Sequence, residues 1–321
     1  MSDIKKRPVI LDCDPGEDDA VCMFMMLASQ QFELLGITPV CGNKTLLYCE
    51  KNALRLLELT GHTEIPVYKG ADRSMARGVR TAGNVHGNTG LGPVVLPEPK
   101  IQTQDTYAWE FIYEMAKKYP HELEILAVGP LTNLGKAFLL FPELPKLIKQ
   151  VVIMGGAAGL GNWTAAAEFN IWADPEAAKI VFNAKVPMVM MALEICFMAY
   201  VSPDDLKAIR GDGTGIIANV TADLLTRRVD FGLARGAKGG ILCDAVAATY
   251  MIDPSLIEVE EVEVDVDTQG ELTVGKTVIA RDYTELYKIK PNTKNGIGIN
   301  REAFIDLLIK SVKTLDEKLS H

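Results

Sequence analysis

Residues 9–20 read Val9-Ile10-Leu11-Asp12-Cys13-Asp14-Pro15-Gly16-Glu17-Asp18-Asp19-Ala20, and this stretch decides the fold. Val9, Ile10 and Leu11 form a short apolar run with β-branched members, as in a strand buried within a parallel sheet. The run ends at Asp12 and Asp14, and Pro15-Gly16 turns the chain sharply. From Glu17 onward the pattern is helical, with Val21, Phe24, Met25 and Ala28 on one face. Asp18 and Asp19 therefore fall in the first helical turn, where the macrodipole favours negative charge. Taken singly, each aspartate also serves as a turn former or a helix N-terminal acid. Four of them between residues 12 and 19, at the carboxyl end of a strand, repel one another unless a cation lies between them. A hard divalent cation with oxygen ligands, calcium or magnesium, answers that repulsion. In an open α/β sheet this edge is also where ligands bind.

Around this stretch the composition is that of a globular protein with a large core. The chain has 321 residues, 48% hydrophobic and 23% charged. A net charge of −9 argues against a nucleic-acid backbone or an anionic membrane as partner. No apolar run approaches the length of a membrane span. The start, Met1-Ser2-Asp3-Ile4-Lys5-Lys6-Arg7-Pro8, leads into the first strand without a secretory signal pattern. The six cysteines are scattered among apolar neighbours with no CxxC pair, so mostly buried, reduced thiols and a cytoplasmic location are expected.

Strand and helix patterns alternate through the first two hundred residues, the mark of a parallel sheet with helical crossovers. Strands are expected near 33–41, 65–68, 123–128, 151–154 and 186–193, with helices ending near Leu59 and Lys118. Residues 70–104 and 157–173 read as long loops, and Asp174-Pro175-Glu176 as an N-cap followed by an N1 proline. Past residue 200, helices open at Ser202, Gly215 and Asp244. A hairpin then pairs 257–266 with 271–280, and a last helix spans Arg301 to Leu319. The expected architecture is one Rossmann-like α/β domain over 1–321: a mostly parallel central sheet flanked by helices, with an added C-terminal β-hairpin and helices.

Several polar residues sit where the carboxyl edge of such a sheet would need them. Asn43 and Thr132 follow strands, although each alone reads as a turn or a cap. Glu168 and Asn170, two apart in a presumed extended loop, would point the same way and suit two hydroxyls of one sugar. His86 lies in the glycine-rich Val85-His86-Gly87-Asn88, and Asp244 at a helix start, where an aspartate also caps.

Together these motifs resemble the inosine–uridine nucleoside hydrolases. The likeness rests on Asp12-Cys13-Asp14-Pro15-Gly16-Glu17-Asp18-Asp19-Ala20, Gly42-Asn43, His86-Gly87, Leu131-Thr132-Asn133, Glu168-Phe169-Asn170 and Asp244, in that order along the chain. It implies hydrolysis of the N-glycosidic bond of ribonucleosides to ribose and free base, by a calcium-bound water that Asp14 activates as general base. By the same resemblance calcium is held by Asp14, Asp19, Asp244 and the Thr132 carbonyl. Asp18 and Asn170 hold the 2′- and 3′-hydroxyls, and Glu168 the 5′-hydroxyl. Asn43, His86, Met154 and Asn162 fall at further ligand-facing positions, with Asp12 as support behind them. Cys243 stands where the family commonly has the histidine associated with protonating the leaving base, and Ala192-Leu193-Glu194 lacks a Thr-His pair often found there. A homodimer or homotetramer is implied. The preference between purine and pyrimidine depends on loops and on the helix around Arg227 to Phe231, and stays open.

Two other classes use similar parts. Haloacid-dehalogenase phosphatases also place Asp-x-Asp after an apolar strand, but with a Thr or Val where Gly16 stands here. A catalytically silent nucleoside or sugar binder could keep the same scaffold, yet a general base such as Asp14 has no role in binding alone.

Overall fold

The computed structural model describes residues 5–83, 85, 87–281 and 288–320. The central sheet is built, in chain order, from β1 (Arg7–Cys13), β2 (Phe32–Pro39), β3 (Glu124–Ala127), β4 (Gln150–Met154), β5 (Met188–Met191), β6 (Ile257–Val266), β7 (Thr277–Ala280) and β8 (Thr293–Ile299). Their spatial order is β7-β6-β8-β5-β4-β3-β1-β2. From β2 to β8 every neighbouring pair is parallel, and β6 and β7 add antiparallel at the far edge. Two short ribbons, Tyr68–Lys69 with Gln104–Tyr107 and Tyr200–Val201 with Gly240–Ile241, stand apart.

Alternation along the strands feeds two cores. Val9, Leu11, Leu126, Val152 and Met154 join one cluster with helices Glu17–Ala28, Cys243–Ile252 and Arg301–Leu319. Ile10, Ile125, Val151 and Ile153 join the other, with helices Ala108–Lys118, Thr132–Leu140 and Pro175–Asn183. Both faces are therefore covered, and the parallel strands need no polar face. Helix Glu17–Ala28 is buried along its whole length, beyond the single face of Val21, Phe24, Met25 and Ala28 that the spacing marks. The order in which strands are added reverses at β1: the crossover after β1 leads outward to β2, whereas β3 returns on the other flank. Their carboxyl ends thus frame the crevice of a doubly wound sheet.

The mostly parallel sheet with flanking helices agrees with the sequence reading, and three details differ. The second hairpin strand begins at Thr277, not 271, because Asp267 Oδ1 accepts from the N–H groups of Gln269 and Gly270 at 2.9 Å and winds the chain into a turn first. Residues 169–173, expected as loop, form a short helix. Strand β8 was not anticipated at all: Thr293-Lys294-Asn295-Gly296-Ile297-Gly298-Ile299 has two glycines and no clean alternation. It nevertheless enters the parallel sheet beside β5, and the hairpin attaches to it rather than to the earlier strands. A Cβ at Gly296 would lie 2.8 Å from Met191 Sδ and 2.9 Å from Ile195 Cδ1, so a glycine permits the close approach. Gly296→Val is expected to lower stability by about 1–3 kcal/mol through overpacking, read as a fall in the urea midpoint without a change in slope.

Candidate active site

The carboxylate of Asp14, just beyond the end of β1, is seated in a backbone cradle. Asn43 N–H donates to Asp14 Oδ2 at 2.5 Å, and Asn43 Nδ2 donates to the Asp14 carbonyl at 3.1 Å. Two glycines leave room for the acid. A Cβ on Gly42 would sit 2.1 Å from Asp14 Oδ2, and one on Gly129 would sit 2.8 Å from Asp14 Oδ1. The buried Asp14 Oδ1 has no hydrogen-bond partner among the described residues. Burial first, then the negative charge of Asp19, push the Asp14 carboxyl well above its ordinary range, against the lowering from the Asn43 N–H.

Behind it Asp12 Oδ2 accepts from Thr38 Oγ1 at 2.6 Å and Asn133 Nδ2 at 2.8 Å. Burial outweighs these bonds and pushes Asp12 up to about 7. Asp12 therefore ties β1 to β2 and to the start of helix Thr132–Leu140, as a supporting residue would.

The first turn of helix Glu17–Ala28 supplies the remaining aspartates. Asp19 closes the turn: Oδ1 accepts from Asp14 N–H at 3.0 Å, and Oδ2 from Gly16 N–H and Asn43 Nδ2, both at 2.9 Å. Helix Cys243–Ile252 packs against this helix and delivers Asp244. Oxygens of Asp18, Asp19 and Asp244 lie within 4.8 Å of one another, all buried. Burial, then Asp18 and Asp19, raise Asp244 well above the ordinary carboxylate range. Like charges held this close are stable only when protonated or when a cation lies among them. An all-oxygen donor set with an unpartnered Asp14 oxygen beside it fits a hard divalent ion. Thr132 is buried, and its hydroxyl donates to Asp174 Oδ2 at 2.7 Å, so only its main chain remains for the crevice.

Sequence reasoning overlooked a cation on the rim of this cluster. Arg228, from helix Ile216–Leu233, donates from Nη2 to Asp18 Oδ1 at 2.6 Å, and its Nε lies 3.4 Å from Glu17 Oε2. Cys243 lies beside it, where a hydrogen bond to Cys196 and burial push the thiol upward and the Arg228 charge pulls it back. A helix reading Arg227-Arg228 between apolar residues carries no local signal that one arginine turns inward. Gly42 is legible only as part of the Gly42-Asn43 motif, and Gly129 reads as an ordinary glycine in a strand-to-helix turn.

At the ends of β3 and β4, Asn170 Nδ2 donates to the Val128 carbonyl at 2.8 Å and the Met154 carbonyl at 3.1 Å. Glu168 does not sit in extended chain with it. Its carboxylate caps helix Phe169–Ala173, accepting from Asn170 N–H at 2.9 Å, Ile171 N–H at 3.2 Å and Gly156 N–H at 3.0 Å. Glu168 and Asn170 still come together, because both are buried at one helix start. Burial pushes Glu168 up to about 7, against those four backbone donors, Phe169 N–H included. Asn162, exposed, accepts from Phe169 N–H at 2.9 Å and fixes the loop's approach. Met154 is buried, with its sulfur 3.4 Å from Asn170 Nδ2. His86 lies outside the described residues.

This crevice can hold a polyhydroxylated ligand over a cation, with a carboxylate on each side. The family model described as inosine-uridine preferring nucleoside hydrolase matches residues 9–306. The chain belongs to that family. Its reaction is hydrolysis of the N-glycosidic bond of ribonucleosides, which the acidic crevice suits and which excludes the phosphatase reading. Among curated relatives, the pyrimidine-specific ribonucleoside hydrolase RihA of Enterobacter sp. (strain 638) is 40% identical over 303 residues, covering 94% of this chain and 96% of the relative. RihA of Shewanella sp. (strain ANA-3) is 38% identical over 312 residues, 95% and 96%. Among solved structures, a purine-preferring ribonucleoside hydrolase from Gardnerella vaginalis superposes with a TM-score of 0.90 at 29% identity, covering 97% of this chain and all of that one. The plant nucleoside hydrolase PpNRh1 gives 0.88 at 30%, with 95% and 98% covered. No helix among the described residues of this nucleoside hydrolase is long and apolar enough to cross a membrane.

Two outcomes follow for this family member. Gly42→Ala forces the Asp14 carboxylate away from Asn43 N–H and is expected to cut kcat/KM for nucleoside hydrolysis by about 10²-fold, as an ångström-scale misplacement does, measured by ribose release. Glu168 has a folded pKa raised to about 7 from the ordinary 4.5, so the folded state binds its proton more tightly than the unfolded one. Its contribution is greatest below the lower value and is lost as pH rises to the upper. The stability of metal-free wild type relative to Glu168→Gln is therefore expected to fall across that window, read by chemical denaturation at each pH.

Proposed function

We propose that this nucleoside hydrolase acts on pyrimidine ribonucleosides with calcium as its metal. The observation that carries the reading is the buried group of Asp14, Asp18, Asp19 and Asp244, with the Asp14 oxygen left unpartnered. Support for the pyrimidine preference is the printed specificity of the RihA relatives at 38–40% identity. Asp14, Asp19, Asp244 and the Thr132 carbonyl would hold calcium, whose preference for several carboxylate and carbonyl oxygens in a flexible shell matches such a set. When bound, the ion lowers the pKa of water and neutralises the clustered acids.

The chain's own residues then do the following. Asp14, held in place by Asn43 and by the two glycines, takes a proton from the attacking water. Asp18 and Asn170 bind the 2′- and 3′-hydroxyls, and Glu168 the 5′-hydroxyl, with Met154 and Asn162 shaping the floor and rim. Asn43 acts by fixing the Asp14 and Asp19 carboxylates. The acidic crevice stabilises positive charge that develops on the sugar as the glycosidic bond stretches. Cys243 lines the side from which the base departs. His86 is proposed as a ligand contact over the crevice, and the enzyme as a homodimer or homotetramer.

The test is ribose release from uridine, cytidine and inosine, before and after calcium chelation. The expected result is faster turnover of both pyrimidines than of inosine, lost on chelation and restored by calcium. Asp14→Asn should reduce turnover by about 10³-fold or more, within the range of a lost general base. Inosine as the best substrate would overturn the pyrimidine assignment, and full activity in the chelated enzyme would overturn the metal.

A further inference from the structure

Asp174 divides its two carboxylate oxygens between two tasks. Oδ1 accepts from Ala177 N–H at 3.1 Å and caps its own helix, Pro175–Asn183. Oδ2 takes its donors from outside that helix: Thr132 Oγ1 at 2.7 Å and Met75 N–H at 2.8 Å. Those donors lie 42 and 99 residues away along the chain. Both bonds are shorter than the cap, and Asp174 is buried, so they form away from bulk water.

A cap needs one oxygen only. The other is free for a different purpose, and what it holds is the first residue of helix Thr132–Leu140. Thr132 N–H donates to the Pro130 carbonyl at 2.8 Å, and the single hydroxyl proton of Thr132 goes to Asp174. A side-chain ligand swings about its own torsions, but a main-chain carbonyl points where its residue is held. Holding Thr132 by its N–H on one side and its hydroxyl on the other therefore sets the direction of its carbonyl. The next residue is held too, with Asn133 Nδ2 donating to Asp12 Oδ2 at 2.8 Å and Oδ1 accepting from Ala71 N–H at 2.9 Å.

The segment that includes Met75 has other moorings. Ala71 is bonded to Asn133, Arg77 Nη2 pairs with Glu176 Oε1 at 2.7 Å, and Ala82 N–H donates to the Gly42 carbonyl at 3.0 Å. Loss of the Met75 bond leaves that segment attached, so the effect of Oδ2 falls on Thr132.

We propose that Asp174 is a positioning residue that aims the Thr132 carbonyl at the metal by holding the Thr132 hydroxyl. This rests on the Thr132 carbonyl being a calcium ligand, as read above. Asp174 acts on the ligand and not on the ion, so its contribution appears in calcium affinity. Groups that orient a metal ligand from behind are typically worth about 10–100-fold in that affinity.

The alternative role is the cap alone, with Asp174 holding helix Pro175–Asn183 and nothing else. Calorimetric titration of the chelator-treated, full-length protein with calcium chloride separates the two. Thr132→Val removes the hydroxyl, keeps the shape of the side chain, and leaves the cap at Ala177 in place. It is expected to weaken calcium binding by about 10-fold, the lower end of that range. Thr132→Ser keeps the hydroxyl and is expected to bind calcium as wild type does. Asp174→Ser keeps an oxygen able to cap and deletes the one that reaches Thr132, so it should lose as much as Thr132→Val. Because both changes remove the same bond, the double variant should bind no more weakly than the weaker single one. Stoichiometry reports how much protein is folded, so the affinity of that fraction is read apart from stability.

Unchanged affinity in Thr132→Val would overturn the proposal, whether or not Asp174→Ser folds. So would losses that add in the double variant, or a loss in Thr132→Ser equal to that in Thr132→Val. Wild-type protein that binds no calcium would instead overturn the parent reading, and this one with it.

Discussion

Mutual repulsion among buried carboxylates is the constraint on which the site depends. Asp14, Asp18, Asp19 and Asp244 are all withdrawn from water, and Asp14 and Asp244 are both held well above the ordinary carboxylate range, Asp14 by burial and the charge of Asp19, and Asp244 by burial and the charges of Asp18 and Asp19. Nothing in a hydrophobic core would tolerate that arrangement unaided. The fold meets it with backbone and amide donors: Asn43 spans Asp14 and Asp19, and the amide groups of Asp14 and Gly16 close on Asp19. Asp12 lies one step behind, its own bonds to Thr38 and Asn133 joining three elements at the crevice. These donors leave Asp14 Oδ1 without a partner among the described residues, near oxygens of Asp18, Asp19 and Asp244 that lie within 4.8 Å of one another, a donor set that a cation would satisfy.

A second set of contacts connects the crevice to the loops over it. Asp174, the N-cap of helix Pro175–Asn183, accepts from Thr132 Oγ1 and also from Met75 N–H at 2.8 Å, so the helix start beside the metal ligands and the loop beginning near residue 70 share one carboxylate. On the opposite side Lys276 donates to the carbonyls of Ala157 and Ala158, and Glu194 accepts from the amides of Ala158 and Gly159. The segment leading to Glu168 is thereby pinned from the sheet's far edge. Trp163, Phe169 and Trp172 pack ring against ring above it, which gives a loop with little regular structure an apolar anchor.

How much of this was legible in the residues follows from the range of each interaction. The strand, turn and helix of residues 7–28 are local, so period and charge spacing identify them directly. The N-cap at Asp174 and the capping box at Ser202 are local too, and both are present. Asp244 could be singled out only through resemblance, since its partners lie at the other end of the chain. The inward turn of Arg228 depends on how helix Ile216–Leu233 packs, which its own sequence does not encode. Glu168 was misread in conformation for a related reason: whether a carboxylate caps a short helix or lines an extended loop is decided by nearby amides. Strand β8 escaped because Gly296 answers to Met191 and Ile195, and Gly298 to Glu258, rather than to any period of their own.

The placement of β8 also bears on how the molecule comes into being. It pairs with β5 through Lys294 opposite Val189, and β6 and β7 reach the sheet only through it. Until that late segment has been synthesised, β5 presents an open, wholly apolar strand edge. Closure is thus a long-range event that comes near the end of translation, and such pairings form slowly because the loop entropy is spent before the contacts reward it. A nascent chain of this protein exposes a sticky edge longest where the finished one is most thoroughly covered, and that interval is when it would most need a chaperone.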